Sequence, residues 1–458
     1  MDRNPSQCNP SLTLRVFPDG LHPSLAVRVP DGLYLVFYLL LALISGCAER
    51  ERPPEAEAGA VVLQAWFHSG RQDERRTIQN QIERFNDSQD EVYIQANVIP
   101  EDTYNGQVQS AAVAGDLPDV LEFDGPFLYN YVWQGNLRPL GDRIGQEIKS
   151  DLLPSIVKQG TFQDKFYAVG TFDAGLGIFG RRSVLESVGA RIPAGPSDAW
   201  TVSEFEDILG DLAKEDPDGA VLDLKLNYEG EWYTYAFSPV LQSAGGGLID
   251  RPDYQSAEGV FNGAASVEAM GHLQSWIESG YVDPNIDDAA FTQGRVALSW
   301  SGHWDYPRYA DAAGDDLVVL PLPDFGTGTK TGQGSWCWGM TSNCEHPDAA
   351  ARFIRFLLQP DEMLAMVDAN GAPPARRAAV ARSRLYGKDG PLRIFATQLA
   401  EGYSVPRPRT PAYPTITDVF QRAFQDIRNG AAVQATLDRA AATIDEDIRA
   451  NDGYALPE

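Results

Sequence analysis

Cysteine and histidine are scarce in this chain of 458 residues, which contains four cysteines and five histidines. The sequence holds no CxxC pair, no HExxH segment and no histidine cluster, so it gives little support for a metal site, and no cofactor is expected. Cys337 and Cys344 are separated by a run that reads as an extended strand of roughly 20 Å, at about 3.3 Å per residue. A disulfide cannot bridge that separation, so we expect two free thiols.

Positively charged residues are also few, because the chain has 37 lysines and arginines against 64 aspartates and glutamates, which gives a net charge of -27. A chain of this charge repels phosphates, which argues against a nucleic-acid partner. The sequence lacks a P-loop, a GxSxG elbow and a GxGxxG segment after a strand. Its length and its 43% hydrophobic content allow two lobes of ordinary size.

The most apolar run extends from Leu33 to Ile44, which is short for a membrane span and suits the hydrophobic region of a secretory signal. Ser45 and Gly46 then precede Cys47, and the segment from Ile44 to Cys47 resembles the lipobox of bacterial lipoproteins. In that family the signal is cut before the cysteine, whose thiol carries acyl chains that hold the protein on a membrane, at about 0.8 kcal/mol for each buried CH₂. The alternative is an uncleaved N-terminal anchor helix.

The lipobox resemblance divides the N-terminal region into two parts. We expect residues 1–46 to form a signal peptide and residues 47–59 to form a polar, lipid-anchored tether. The segment before the apolar run is long and only weakly basic, so translation is expected to start near Arg28. The mature protein would then be exported and held in the periplasm or on the outer cell surface.

Hydrophobic periodicity predicts alternating strands and helices at the start of the soluble region. Strands are expected at 61–67, 92–98 and 119–123, with helices at 72–85 and 102–114 between them. This order argues for an α/β fold with a parallel sheet and right-handed crossovers. Further strands are expected at 166–169, 176–179, 295–300 and 337–341, and further helices at 267–279, 347–358, 360–370 and from Thr417 onward.

Two helix ends carry local signals. Thr201 and Glu204 are spaced as a capping box, which predicts that a helix begins there. Gly115 and Pro118 follow the helix expected at 102–114 and predict its end.

Six separated segments, in order, resemble motifs of the extracellular solute-binding proteins of bacterial ABC importers, in particular the carbohydrate-binding, maltose-binding-protein-like group. The segment AAVAGDLPDV, from Ala111 to Val120, is similar to that family's A-x-A-x-G-D-x-P-D-V signature. The other five are QGNLRPL from Gln134, DKFYAV from Asp164, FTQGRVAL from Phe291, PDAAARFI from Pro347 and GAPPAR from Gly371. Together the segments cover most of residues 60–450.

The resemblance implies a two-lobed periplasmic-binding-protein fold of type II, with a mostly parallel sheet flanked by helices in each lobe and hinge closure on a ligand. By analogy, the first lobe takes residues 60–172 and 338–400, the second takes residues 173–337 and 401–458, and the crossings fall near 171–174, 335–339 and 405–409. The implied function is binding and delivery of a carbohydrate to ABC permease subunits, without catalysis, by a protein that is expected to be a monomer.

A sugar cleft needs two kinds of side chain. Apolar C–H faces of sugars stack on aromatic rings, and their hydroxyl groups pair with planar polar groups. Asp124 follows the third strand, at the edge where ligands bind in open α/β sheets. By this reasoning and the resemblance, the candidate ligand-binding residues are His68, Ser69, Asp124, Trp232, Tyr233, Trp300, Trp304, Trp338, Arg376 and Tyr413.

Several alternatives stay open at this point. Trp300 and Trp304 favour the cleft, whereas Trp232 and Trp338 fit a core equally well, since large aromatic side chains are mostly buried. Arg376 fits a structural tie within the first lobe as well as it fits a ligand. A cation such as a polyamine could stack on the tryptophans, and a secreted glycoside hydrolase would need two carboxylates at a defined separation.

Overall fold

The computed structural model describes residue 53, residues 55–387 and residues 389–455. The predicted signal peptide and Cys47 therefore lie outside the described residues. Within the described part of the chain, no helix is both long enough and apolar enough to cross a membrane.

Strands and helices alternate along the described chain. The strands are β1 (Val61–His68), β2 (Val92–Ile99), β3 (Val120–Asp124), β4 (Leu137–Arg138), β5 (Thr161–Phe162), β6 (Lys165–Phe166), β7 (Ala168–Val169), β8 (Leu176–Arg181), β9 (Leu222–Asp223), β10 (Leu298–Gly302), β11 (Leu317–Leu320), β12 (Thr331–Gln333), β13 (Trp336–Thr341) and β14 (Ser404–Pro406). The helices are α1 (Gln72–Asp87), α2 (Glu101–Ala114), α3 (Leu128–Trp133), α4 (Gln146–Asp151), α5 (Pro154–Gln159), α6 (Arg182–Ser187), α7 (Val202–Glu215), α8 (Glu231–Ser243), α9 (Ala264–Glu278), α10 (Tyr306–Ala313), α11 (Pro347–Leu357), α12 (Pro360–Asn370), α13 (Arg377–Arg382), α14 (Arg393–Ala400), α15 (Tyr413–Arg428) and α16 (Val433–Ala450).

The first sheet has the strand order β2-β1-β3-β13-β4, with β7 also paired to β13. β1 runs parallel to β2 along its whole length and parallel to β3, as the alternation of strands and helices predicts. α1 packs on the core of this sheet through Ile78, Ile82 and Phe85, which recur at helical spacing. By contrast, β13 runs antiparallel to β3, β4 and β7.

The second sheet has the strand order β11-β8-β10-β9. β8 is antiparallel to β10 and β11, and β9 is parallel to β10. The two-lobed α/β fold is as predicted, but the prediction of a mostly parallel sheet in each lobe needs correction, because both sheets are mixed. The right-handed crossover rule applies when two parallel strands that follow each other in the chain lie in the same sheet. β13 is preceded in the chain by β12, which pairs with β14 in a different sheet, so the rule does not determine the direction of β13.

Each sheet contributes residues to two hydrophobic clusters, and we call the larger of the two its core. The first core contains Phe85 and Trp338, which both pack on Phe353. The second core contains Trp300 and extends from Ala174 to Leu322 and from Ala412 to Ile448. β12 and β14 pair in parallel beside two of the predicted crossings. The lobe boundaries drawn from the sequence stay a prediction.

Candidate functional site

His68, the last residue of β1, is a buried imidazole between a carboxylate and an indole ring. Its Nδ1 lies 2.8 Å from Oε2 of Glu122, and its ring stacks on Trp336 with centroids 3.6 Å apart. Burial alone would lower the pKa of His68, but Glu122 and Glu74 raise it to about 9. The ring is therefore protonated at neutral pH and places a positive charge at the carboxyl end of β1.

Arg407 joins two carboxylates from distant parts of the chain. Its Nη1 and Nη2 donate to the two carboxylate oxygens of Asp124, each at 2.6 Å, and Nη1 also donates to Glu231 at 2.7 Å. Asp124 ends β3, whereas Glu231 begins α8. The guanidinium also lies over the ring of Tyr235, 5.1 Å from its centroid. We call Asp124, Glu231, Tyr235 and Arg407 the Arg407 cluster.

Glu231 is a partly buried carboxyl group that accepts hydrogen bonds from Arg407, Tyr413 and Thr417. Burial raises the pKa of Glu231 to about 7, because the lowering effect of Arg407 is opposed by the neighbouring charge of Asp124. Thr417 donates to its carboxylate at 2.7 Å, and the hydroxyl of Tyr413 donates to it as well. Because its partners all donate to it, ligand hydroxyls could take their places by donating to the same oxygens.

Arg71 links the two sheets through an ion-pair network. It follows β1, and its Nη2 lies 2.6 Å from Oδ1 of Asp305 and 3.1 Å from Oδ2 of Asp288. Asp305 lies beyond β10 of the second sheet and is completely buried. Arg308 Nη2 lies 2.8 Å from Asp305, and Lys225 Nζ lies 2.9 Å from Asp288. We call these five residues the Arg71 network.

A second polar contact joins the sheets at His303, which follows β10. Its Nδ1 lies 2.9 Å from the carbonyl oxygen of Asn370, the last residue of α12. Burial lowers the pKa of His303 to about 4. The ring is therefore neutral at pH 7, and its Nδ1–H donates to the carbonyl.

Trp304 lies at the centre of an aromatic group on the second lobe. Its ring centroid is 6.0 Å from that of Trp232, 6.1 Å from that of Tyr235 and 5.1 Å from that of His303. Trp304 is partly exposed, whereas Trp232 and Tyr235 are buried. Because Tyr235 also contacts Arg407, the aromatic group and the Arg407 cluster adjoin. Aromatic faces therefore lie next to groups that donate and accept hydrogen bonds.

The structure brings several predicted ligand-binding residues to this region. Trp336 connects two of them, because it is the ladder partner of Asp124 and stacks on His68. Ser69 follows His68, and its amide donates to the carbonyl of Ile99 at 2.8 Å. The predicted residues brought to this region are His68, Ser69, Asp124, Trp232, Trp304 and Tyr413.

The remaining predicted residues are engaged in the interior. Trp300 is 0% exposed in the second core, and Trp338 is 2% exposed in the first. Tyr233 is also buried in the second core. Arg376 donates through Nε to Asp151 at 2.8 Å, which is the structural tie that the sequence left open. Their positions give no support to the ligand-binding role predicted for these four residues, because their side chains already fill cores or pair within a lobe.

Sequence reasoning missed most charged residues of the region. Arg71 lies in the short segment between β1 and α1, and the rule that selected His68 and Ser69 after the strand also applies to it. Arg407 lies in a crossing that the sequence predicts, and Glu231 immediately precedes a predicted residue, Trp232. The missed residues are Arg71, Lys225, Glu231, Asp288, Asp305, Arg308 and Arg407.

The described part of the chain offers little for metal or thiol chemistry. There, no group of three His, Cys, Asp or Glu side chains could hold a metal ion. Cys337 and Cys344 are buried free thiols. Burial raises the pKa of both thiols, which disfavours the reactive thiolate form.

Comparison with known proteins finds a family and a relative that match most of the chain. A family model described as bacterial extracellular solute-binding protein matches residues 80–390. A relative from Streptomyces antibioticus, described as an uncharacterized lipoprotein in the oleD 5′ region, is 22% identical over 424 residues, which are 89% of this chain and 90% of the relative.

Solved structures match the chain over most of its length. The GacH receptor of Streptomyces glaucescens, solved unliganded and with acarbose, has a TM-score of 0.72 and 20% identity, over 85% of this chain and 98% of the receptor. A solute-binding protein of Thermotoga lettingae, solved with alpha-D-tagatose, has a TM-score of 0.73 and 21% identity, over 84% of this chain and 99% of its own. At these identities the matches establish the two-lobed fold.

Proposed function

Because the chain belongs to the bacterial extracellular solute-binding proteins, we propose that it captures a sugar or oligosaccharide and delivers it to the permease of an ABC importer. One observation carries the sugar assignment: the Arg407 cluster adjoins the Trp304 aromatic group, so polar groups and ring faces meet in one place. The GacH receptor with acarbose and the Thermotoga lettingae protein with alpha-D-tagatose support this ligand class.

In this proposal the ligand lies between the carboxyl end of the first sheet and the aromatic group of the second lobe. Asp124, Glu231 and Arg407 exchange their mutual hydrogen bonds for bonds to sugar hydroxyls. Trp304 stacks on an apolar sugar face, and Trp336, which is partly exposed, offers a second ring from the first lobe. The protein binds and releases its ligand unchanged, as the family assignment implies.

The proposal also includes the location and movement of the protein. The relative from Streptomyces antibioticus is described as a lipoprotein, which supports acylation of Cys47 and anchoring through residues 47–59. The chain would be exported, and its two lobes, divided as the sequence predicts, would close on the ligand because the closed state binds it more tightly.

The experiment uses the soluble chain that starts at Glu55. Its melting temperature is measured with mono-, di- and oligosaccharides, and with polyamines and amino acids as comparison ligands. A ligand at 100 times its Kd stabilises the folded state by about 2.7 kcal/mol. We expect a shift with one class of sugar, and we expect Trp304→Ala to remove it. Trp133→Ala is the matched control, because Trp133 is also partly exposed but packs on Tyr454, with centroids 5.0 Å apart.

The outcomes separate the candidate functions. A shift with polyamines and with no sugar would overturn the sugar assignment and favour a cation-binding protein. Cleavage of the sugar by a small amount of the protein would indicate a hydrolase. A sugar shift that Trp304→Ala and Trp133→Ala leave equally intact would keep the function but reject Trp304 as the stacking residue.

A further inference from the structure

An open cavity of about 480 Å³ concentrates positive charge on this acidic protein. Four basic residues line it: Lys149, Lys158, Arg377 and Arg409. The other residues that line it are neutral. The whole chain carries a net charge of -27, so four cations without an acid in one cavity depart from the general distribution of charge.

The four cations keep their charge available. Lys149 Nζ lies 5.1 Å from the ring centroid of Phe166, and Arg377 donates through Nη1 to the carbonyl of Ser150 at 2.8 Å. Arg409 donates through Nη2 to a backbone carbonyl at 3.0 Å and through Nε to a tyrosine hydroxyl at 2.9 Å. None of the four forms an ion pair with any residue that the structure describes.

Arg376 and Arg377 are adjacent in the chain but differ in burial and in ion pairing. Arg376 stands directly before Arg377, and its Nε lies 2.8 Å from the carboxylate of Asp151. Arg376 is buried and forms an ion pair, whereas Arg377 is exposed and forms no ion pair with a residue that the structure describes. The chain therefore neutralises the arginine that holds the first lobe together and leaves the cavity arginine free for another partner.

We propose that this cavity binds a phosphate group. Inorganic phosphate near neutral pH carries more than one negative charge and a phospholipid phosphodiester carries a single one, and the acceptor oxygens of either match two lysines and two forked guanidinium groups. The volume of about 480 Å³ lies within the range of small-molecule sites, so the phosphate could be free or belong to a larger molecule such as a phospholipid headgroup.

The cavity is distinct from the candidate sugar site. A smaller neighbouring cavity shares Lys158 and Arg409 with it and is also lined by Arg407. Arg407, which donates to the carboxylates of Asp124 and Glu231, lines the smaller cavity and not the larger one, whereas Lys149 and Arg377 line the larger cavity and not the smaller one. The proposal therefore stands independently of which sugar the protein binds, or of whether it binds one.

The test is titration of the soluble chain from Glu55 with inorganic phosphate, measured by calorimetry at constant ionic strength, with chloride as the comparison salt. The double variant Lys158→Gln with Arg377→Gln removes two exposed cavity charges. The control Lys214→Gln with Arg422→Gln removes a lysine and an arginine that are 73% and 72% exposed and pair with acids within their own helices. Both double variants change the net charge equally. We expect at least tenfold weaker phosphate binding in the cavity variant and no such change in the control.

A second arm identifies the source of the phosphate. The same proteins are sedimented with vesicles of phosphatidylglycerol or of phosphatidylcholine. Cavity-dependent binding to vesicles without binding of inorganic phosphate would assign the site to a lipid headgroup, and the reverse would assign it to a free phosphate. The proposal is overturned if neither probe binds in a way that depends on the cavity, or if the two double variants bind equally well.

Discussion

His68 gives the stability of this protein a pH dependence that is readily measured. Its folded pKa of about 9 lies above the ordinary value of 6.5. The charged ring therefore stabilises the fold fully below pH 6.5, and this contribution disappears as the pH rises toward 9. This rise in the pKa corresponds to a stabilisation of the folded state by roughly 3 kcal/mol. We expect the free energy of unfolding of the wild type to fall between pH 6.5 and pH 9. In His68→Gln this dependence on pH should become weaker.

The measurement is urea denaturation between pH 6 and pH 9.5. His272→Gln is the matched control, because His272 also pairs with a glutamate, at 2.7 Å from Glu206, but lies partly exposed on a helix. The control should keep the slope of the wild type. An unchanged slope in His68→Gln would show that the ring does not carry the charge assigned to it.

At the scale of helices and strands, the features that depend on local sequence were predictable. The amide of Glu204 donates to Oγ1 of Thr201 at 3.2 Å, and the carboxylate of Glu204 accepts from the amide of Thr201 at 2.8 Å, which is the predicted capping box. Gly115 ends α2 with a φ of 70°, a conformation that glycine adopts freely. In each case residues within a few positions of one another decide the outcome.

The contacts of the site depend on distant partners and were not predictable in the same way. Arg71 and Asp288 are 217 positions apart, and a charged residue in a loop does not specify its partner. The face of a strand that is covered is likewise decided by packing. Phe237 of α8 lies 6.1 Å from the ring of Trp300, so this tryptophan faces a helix and not the ligand region. Alternation along the strand cannot distinguish these two faces.

The segment between β1 and α1 should control how tightly the protein holds its ligand. Arg71→Gln removes the cation that joins β1 to Asp305 and Asp288. Asp305 retains Arg308 at 2.8 Å, so the loss should be moderate. We expect the affinity for the sugar identified by thermal shift to fall about tenfold, which equals about 1.4 kcal/mol.

Calorimetric titration checks this expectation. Arg76→Gln is the control, because Arg76 also belongs to this region but pairs with Asp73 at the surface, at 2.7 Å. An exposed pair of this kind contributes about 0–1 kcal/mol. Equal affinities in the two variants would mean that the Arg71 network stabilises the fold without favouring the closed state.

For the whole molecule, the decisive feature is that the two large apolar cores are separate and are connected by polar contacts and by smaller apolar clusters. The Arg71 network and the bond from His303 to Asn370 connect the sheets. Phe127 also packs on Tyr413, with ring centroids 5.4 Å apart, and Phe179 of β8 shares a small cluster with Val367 of α12. Water can replace polar contacts at modest cost, but it cannot replace apolar packing. Because the two large cores share no residue, the lobes should separate without unfolding when the polar contacts and the smaller apolar clusters open, which is the property that hinge closure requires.

Small-angle X-ray scattering measures this separation directly. A compact chain of about 400 residues has a radius of gyration of about 22 Å. We expect the radius of gyration of the soluble chain to be about 1 Å larger without ligand than with ligand, because the ligand contacts both lobes and shifts the population toward the closed state. Trp304→Ala should stay expanded at a sugar concentration that compacts the wild type, while Trp133→Ala should compact normally. An identical radius with and without sugar in the wild type would mean that the polar contacts already hold the lobes closed, and the ligand would then have to enter through local movement of side chains such as Trp304.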